Sequence, residues 1–356
     1  MDMKIAYFED IKLFESNTVL FWSIAFLLFL FTAPLYFPNY YVFLFTIIFI
    51  HVILVVGLNI LVGNTGQISL GHAGFFAIGA YGTTLLMTQL HAPFFIALLA
   101  AAFIAALFGF ILGLPSLRLE GPYLAIATLG FGLAIMHVLG RWAVFGGRAG
   151  LHAPVFDIGV PALGLSFVLK SDIAKYYLIL ILTVILVILA KNILKTRAGR
   201  AFVAIRDSDI AAEVIGINLP MYKTLAFATS AFYAGIAGGL YGFLLGFFDP
   251  FTFNLALSIV FLAMAVVGGL GSVMGSISGA TLITILQYDL LKNLGEKPII
   301  GDLMTSLANR YFHPAGLDSL NNIILGAIMI AIVVFEPLGI FGIWLRIKKF
   351  WKTWPF

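Results

Sequence analysis

The stretch Val62-Gly-Asn-Thr-Gly-Gln-Ile-Ser-Leu-Gly-His-Ala-Gly-Phe-Phe-Ala-Ile-Gly-Ala-Tyr81 sets Asn64, Thr65, Gln67, Ser69 and His72 among glycines between two apolar runs. Glycine-rich, polar, non-helical backbone at membrane depth is tolerated only inside protein or beside a watery cavity. Broken helices of this kind often mark the path of a transporter. The competing reading is an ordinary cytoplasmic turn between two helices. In both readings the apolar flanks are spans of a helical membrane bundle.

Composition agrees. The 356 residues are 62% hydrophobic and 10% charged, where a soluble domain averages about 25% charged. So few polar residues cannot cover a water-soluble surface, and the bilayer must be the solvent. The short alternating segments of a membrane β-barrel are absent. No hydrophilic stretch is long enough for a separate domain, so residues 1–356 read as one transmembrane domain. The net charge of +4 fits basic residues kept on the cytoplasmic side, not a nucleic-acid partner. Without cysteine, disulfides, thiol catalysis and cysteine metal sites are excluded. The N-terminal segment mixes acids and bases and shows no cleavage site, so no removable signal peptide is expected.

Apolar runs long enough, or nearly so, to cross the membrane lie at 19–34, 40–62, 73–90, 94–114 and 123–140. Others lie at 176–190, 225–248, 255–267, 277–291 and 323–335. The expectation is an all-α polytopic bundle of about ten transmembrane helices, with a glycine-broken element in each half. Lys and Arg in short loops set orientation. Lys191, Lys195, Arg197, Arg200 and Arg206 crowd one loop, and Arg346, Lys348, Lys349 and Lys352 the tail at 343–356. Four spans separate these two regions and six precede the first. Both termini are therefore expected in the cytoplasm of a prokaryotic inner membrane. Arg118 then falls inside, and the loop from Arg141 to Lys175 falls outside despite its four basic residues, Lys170 among them.

Gly235 with Gly239, and Gly271 with Gly275, have the small-xxx-small spacing that lets helices approach closely in lipid. The second break, Val267-Gly-Gly-Leu-Gly-Ser-Val-Met-Gly-Ser-Ile-Ser-Gly279, echoes the first in the spacing of Gly63 and Gly66 with Gly268 and Gly271. Chance similarity competes with an internal repeat there. The six histidines are scattered without metal-ligand spacing. No serine-hydrolase elbow, zinc-protease motif or Walker A sequence appears, so neither catalysis, nor a metal, nor ATP binding by a P-loop is expected of this chain.

The segment 191–220 is the longest polar element. Read as one helix from Ala201 to Ile217, it places Arg206, Asp209 and Glu213 on one face, beside an apolar stripe of Val203, Ile210, Val214 and Ile217. Asp207 or Ser208 is a candidate N-cap for a shorter helix that Gly216 ends. Such an element either lies on headgroups or docks into a partner's groove. Its mixed charge favours the partner.

Several motifs now stand in register. Gly66-Gln-Ile-Ser-Leu-Gly-His-Ala-Gly-Phe-Phe-Ala-Ile-Gly-Ala-Tyr81, Gly199-Arg-Ala-Phe-Val-Ala-Ile-Arg-Asp-Ser-Asp-Ile-Ala-Ala-Glu-Val-Ile-Gly-Ile-Asn218, Tyr222-Lys-Thr-Leu-Ala-Phe227, Ala234-Gly-Ile-Ala-Gly238 and Gly268-Gly-Leu-Gly-Ser-Val-Met-Gly275 resemble the permeases of branched-chain amino acid ABC importers. The longer of the two paralogous permeases is the more similar, from about Asn59 to Gly342. The resemblance implies a translocation path for Leu, Ile and Val, shared with a paralogous permease. Two cytoplasmic ATPases would use the ATP, an extracytoplasmic binding protein would deliver substrate, and no cofactor would sit in this chain. Arg200, Arg206, Asp209, Glu213 and Gly216 would form the coupling element in an ATPase cleft. Glu336 departs from the basic or neutral residue usual there, and the loop from Asn293 to Leu320 is long. Related permeases import urea, short amides or sugars.

Two other classes compete. A self-sufficient secondary transporter or channel would place carboxylates or a charged relay inside its spans, and these spans hold almost none. A membrane enzyme would need a catalytic constellation, which the sequence does not show.

Overall fold

The computed structural model describes residues 17–117, 119, 121–154, 171–290, 316–336 and 338–353. The N-terminal segment read for a signal peptide, Arg118, Lys170 and most of the long loop after Asn293 lie outside them.

Helices account for nearly all the described chain. In order they are α1 (Asn17–Tyr36), α2 (Asn39–Thr65), α3 (His72–Gln89), α4 (Phe94–Gly113), α5 (Pro122–Arg141), α6 (Asp172–Lys195), α7 (Arg197–Asp207), α8 (Asp209–Val214), α9 (Leu219–Leu245), α10 (Leu255–Gly268), α11 (Val273–Ile285), α12 (Gly316–Phe335) and α13 (Gly339–Thr353). A π turn, Leu286–Leu290, continues α11. Two dipeptide strands, β1 (Leu151–His152) and β2 (Phe247–Phe248), pair antiparallel with Leu151 opposite Phe248. They tie the segment after α5 to the end of α9.

By length and composition α2, α4, α5, α6 and α9 are apolar enough to cross a membrane, and α1, α10 and α12 carry shorter apolar stretches. The chain is a helical membrane bundle; among the described residues, five helices meet the length and composition of a span, and the expected number of about ten is reached only if α1, α3, α10, α11 and α12 are counted as well. Two boundaries differ from the sequence reading. The basic residues Lys191 and Lys195 belong to the last turns of α6, because cations at a helix C-terminus favour its continuation. The tail, read only as a basic segment at 343–356, belongs to a helix over Gly339–Thr353.

Burial defines an inside and an outside. Nearly every residue of α2 from Thr46 onward is buried, and so is most of α9 from Ala226 to Phe243. These two central helices pack on each other, with α3 and α4 also against α9 and with α6, α10 and α11 also against α2. The outer faces of α1, α4, α5 and α6 expose Phe21, Trp22, Phe103, Leu107, Ile126 and Ile181. So continuous an apolar exterior is what a bilayer solvates.

The close approach of α3 to α9 depends on missing side chains. A Cβ at Gly79 would overlap the carbonyl of Gly235, and one at Gly238 would overlap the carbonyl of Phe76. Gly235 faces Ala102 and Ala105 of α4, and Gly239 faces Leu98 and Thr83. The aromatic rings of Phe76, Tyr241, Phe253 and Phe261 then fill the space beside this contact.

Gly238→Val is expected to prevent recovery of a monodisperse protein in detergent, since α3 must move off α9. Gly130→Ala, at a position with nothing within 4 Å, should hold or raise stability by up to about 1 kcal/mol through helix propensity. Thermal unfolding followed by size-exclusion chromatography separates the two.

Candidate functional site

The first helix break runs from Gly66 to Gly71. It begins where α2, 27 residues long and about 40 Å at 1.5 Å per residue, runs out. The backbone N–H groups of Gly66 and Gln67 both turn back to the carbonyl of Leu61, closing the helix through Gly66 at φ +74°. Glycine adopts that conformation without the Cβ clash other residues meet.

The rest of the break is held by side chains from three other helices. Thr128 Oγ1 of α5 accepts from the N–H of Leu70 at 3.0 Å, and Ser258 Oγ of α10 accepts from Ala73 at 3.0 Å. His72 bridges two serines: its Nδ1 lies 2.9 Å from Ser69 Oγ, and its Nε2 lies 2.7 Å from Ser230 Oγ of α9. All three side chains are buried. Of the donors at the start of α3, those of Ala73 and Gly74 are thus satisfied inside the protein, by Ser258 and by the carbonyl of Gly71.

The second break, between α10 and α11, meets the first through Asn59, deep in α2. Asn59 Oδ1 accepts from the N–H of Gly271 at 2.9 Å. Its Nδ2 donates to the carbonyl of Ser272 at 2.9 Å and to Ser276 Oγ at 2.6 Å. Ser272 also caps α11, accepting from Gly275 N at 3.2 Å. Asn64 Nδ2 donates to the carbonyl of Asn59 itself at 3.1 Å. Gly63 and Gly271 lie face to face, so a Cβ at Gly63 would overlap Gly271 N. Gly271 is not a helix residue: it sits in the break at φ +81°, whereas Gly275 lies in α11 against the carbonyls of Gly268 and Gly269.

A third element reaches this junction. Arg206, on the last turn of α7, donates through Nη1 to the carbonyl of Gly63 at 2.9 Å. Its stem covers Gly66, and a Cβ at Gly271 would stand 3.0 Å from the same nitrogen. One side chain therefore lies against the first break with its stem and beside the second with its guanidinium. Its Nε also lies 3.4 Å from Asp207 Oδ1.

The single helix read over Ala201 to Ile217 is in fact two. Ser208, extended at φ −166°, interrupts it and caps α8 by accepting from Ala211 N. Arg206, Asp209 and Glu213 consequently do not share one helix face. Arg206 turns toward the breaks. Asp209 pairs with Lys223 of α9, whose side chain is only 8% exposed. Glu213 stays exposed beside Gly216, which ends α8 by donating to the carbonyl of Glu213. Arg200 Nη1 closes the α6–α7 turn on the carbonyl of Lys195 at 3.2 Å. The apolar side of α7, with Ala201, Phe202 and Ile205, is buried. Ile210, Val214 and Ile215 are 78%, 82% and 72% exposed.

Asn64, Thr65, Gln67, Ser69 and His72 are all buried in the bundle. Four have partners within the chain, Thr65 through the carbonyl of Ile60. Gln67 differs: it is 5% exposed, and neither Oε1 nor Nε2 finds a partner. Leaving a buried polar group unpaired costs about 1–3 kcal/mol. Asn59, Thr128, Ser230, Ser258 and Ser276 were not singled out from sequence. Their signal was present as polar residues within apolar runs. Among the described residues, no three His, Asp or Glu side chains gather as metal ligands.

Two helix breaks held together inside a helical membrane bundle, with a short helix seated on them, are the central feature of the chain. Residues 40–333 match the branched-chain amino acid transport system permease component family, and the chain belongs to it. It is 35% identical over 297 residues to the high-affinity branched-chain amino acid transport system permease protein LivM of Escherichia coli K12, covering 76% of this chain and 68% of that protein. It is 25% identical over 252 residues to the permease protein LivH of the same kind of system in Salmonella typhimurium LT2, covering 67% and 80%. It is also 28% identical over 209 residues to the autoinducer 2 import system permease protein LsrC of Salmonella typhi, covering 55% of each. No solved structure matches the chain.

Asn59→Leu is expected to lower the unfolding temperature by several degrees, because it strands Gly271 N and Ser276 Oγ in the interior. Gln67→Met, close in shape and without the unpaired amide, should raise stability by about 1 kcal/mol. Unfolding of both variants in detergent checks the opposite signs.

Proposed function

We propose that this permease subunit forms one side of an ATP-driven import path for Leu, Ile and Val, paired with a paralogous permease. In this reading α7 and α8 face the cytoplasm and dock on one of two ATPases, and ATP is bound there rather than in this chain. An extracytoplasmic binding protein delivers the solute, and both termini lie inside. The chain itself is a transport subunit and not an enzyme. The observation that carries the reading is the Arg206 contact, because it joins the exposed polar helix directly to both helix breaks.

The geometry supplies a route for force. The exposed Ile210, Val214 and Ile215 offer an apolar ridge beside Glu213 and Asp207, a mixed surface suited to a protein groove. Movement of α8 passes through the Asp209–Lys223 pair to α9, and movement of α7 passes through Arg206 to Gly63 at the end of α2. Both central helices are thus held by the docking element. In switching access, ATP-driven closure must favour one arrangement over the other by differential contacts. The unpaired amide of Gln67 is a group whose surroundings are incomplete in this arrangement. We place Asn64, Thr65, Gln67, Ser69 and His72 along the cytoplasmic mouth of the path, with Gln67 gaining a partner when the mouth opens.

Similarity to permeases for branched-chain amino acids and for autoinducer 2 makes the solute the part to test directly. The chain is co-expressed with candidate ATPases and paralogous permease, purified through this subunit, and assayed in liposomes with binding protein. Leucine-stimulated ATP hydrolysis supports the whole reading. A complex indifferent to leucine moves the solute to urea, amides or sugars, and solute movement by the chain alone overturns the ATP-driven class. In the same assay Glu213→Arg should cut uptake at least tenfold by weakening the complex. Arg206→Gln should keep the complex and its ATP hydrolysis while uptake falls by a similar factor.

A further inference from the structure

The C-terminal helix α13 reads Gly339-Ile-Phe-Gly-Ile-Trp-Leu-Arg-Ile-Lys-Lys-Phe-Trp-Lys-Thr353. It carries Arg346, Lys348, Lys349 and Lys352 and no acidic residue. Its first turn is fixed to the bundle. A Cβ at Gly339 would stand 2.6 Å from the carbonyl of Val267 and 2.7 Å from Gly269 N, and one at Gly269 would stand 2.7 Å from the carbonyl of Leu338. The α12–α13 turn is thus pressed on the second helix break, two residues from where Arg206 meets Gly271. Glu336, the acid of this turn, pairs with Arg346. Docking at the same break puts the start of α13 at the same end of the bundle as α7.

Beyond Gly342 the helix leaves its own protein. Ile343, Trp344 and Ile347 are 42%, 55% and 46% exposed. At 100° per residue these three fall within one arc, which Phe350 extends, and Arg346 and Lys348 fall outside it. A large apolar arc in water next to a basic face needs an occupant that is apolar and negatively charged. A second copy of α13 offers four positive charges against four, which disfavours self-pairing. The docking helices α7 and α8 mix acids with bases, whereas α13 is wholly basic. Tryptophan beside lysines, directly following an apolar helix, is the pattern of helices that lie in the headgroup layer.

We propose that α13 is an interfacial helix that binds anionic phospholipid headgroups in the leaflet on the α7 side. Ile343, Trp344 and Ile347 enter the acyl boundary while Arg346 and Lys348 meet lipid phosphates. Each such cation strengthens attachment to an anionic surface and loses its effect at high salt.

The absence of cysteine from the chain makes the test direct. Single spin labels are placed at Ile347→Cys and at Lys348→Cys in the full chain, in vesicles of phosphatidylcholine with or without 30% phosphatidylglycerol. Relaxation by oxygen and by a water-soluble nickel chelate is then read. With phosphatidylglycerol, the label at 347 should be reached by oxygen and shielded from nickel, and the label at 348 should be reached by nickel. In parallel, spin-labelled phosphatidylglycerol should associate with the chain more than phosphatidylcholine does. That preference should fall at least threefold in Arg346→Gln/Lys348→Gln/Lys349→Gln/Lys352→Gln and in 0.5 M salt. A label at 347 shielded from both reagents, meaning protein covers the face, overturns the proposal. So does a label at 347 open to nickel, or a lipid preference unchanged in the quadruple variant. The assembly assay above does not enter this readout, so the two readings fail separately.

Discussion

Hydrocarbon offers no water to a backbone group that loses its helical partner, and this chain interrupts its helices twice near its centre. The interruptions survive because side chains of the surrounding helices supply what each lacks. The Asn59 carboxamide accepts from the backbone of the second break and donates to it, and serine and threonine hydroxyls from α5 and α10 take up the loose donors of the first. The two breaks are therefore one structure, and each helix around them is placed by its share in that closure. Buried polar networks of this kind specify an arrangement because a partial version is worse than none.

Around the junction the bundle is packed backbone to backbone. Gly79 on Gly235 and Gly238 on Phe76 leave no long side chains to change rotamer as helices shift. Such contacts do not deform gradually, so motion must pass through sliding or separation of whole helices. Arg206 suits that task. It reaches the junction from a short helix with one face buried, and it holds a carbonyl with a single long arm rather than a packed face.

The sequence made the longest spans plain because the length of an apolar run is itself the physical requirement for crossing, and five of the runs fall on helices long and apolar enough to do so. It made the breaks plain as well, since glycines and polar residues between apolar runs are costly unless they have a use. Ser208 was legible as a candidate cap, and it does cap α8; the spacing of Arg206, Asp209 and Glu213 fits one helix equally well, and the cap hydrogen bond decides between the two readings. Two things were not legible. The meeting of Gly63 with Gly271 joins residues about 200 positions apart, which no local pattern encodes. Gln67 looks the same in sequence as Ser69 or His72, and only the structure shows that it alone lacks a partner. Asn59 was the missed signal: an amide in the middle of an apolar run announces that something across the bundle must meet it.

The Asn59 tether also has a consequence for how the protein is made. Its partners Gly271 and Ser276 follow it by 212 and 217 residues. At a synthesis rate of about 5–20 residues per second, the first half waits in the membrane for roughly 10–40 s before the second half emerges. Through that interval α2 carries an amide whose bonding partners do not yet exist, and the hydroxyl of Ser258 that secures the first break is also still unmade. The insertion machinery must shelter this half-built bundle.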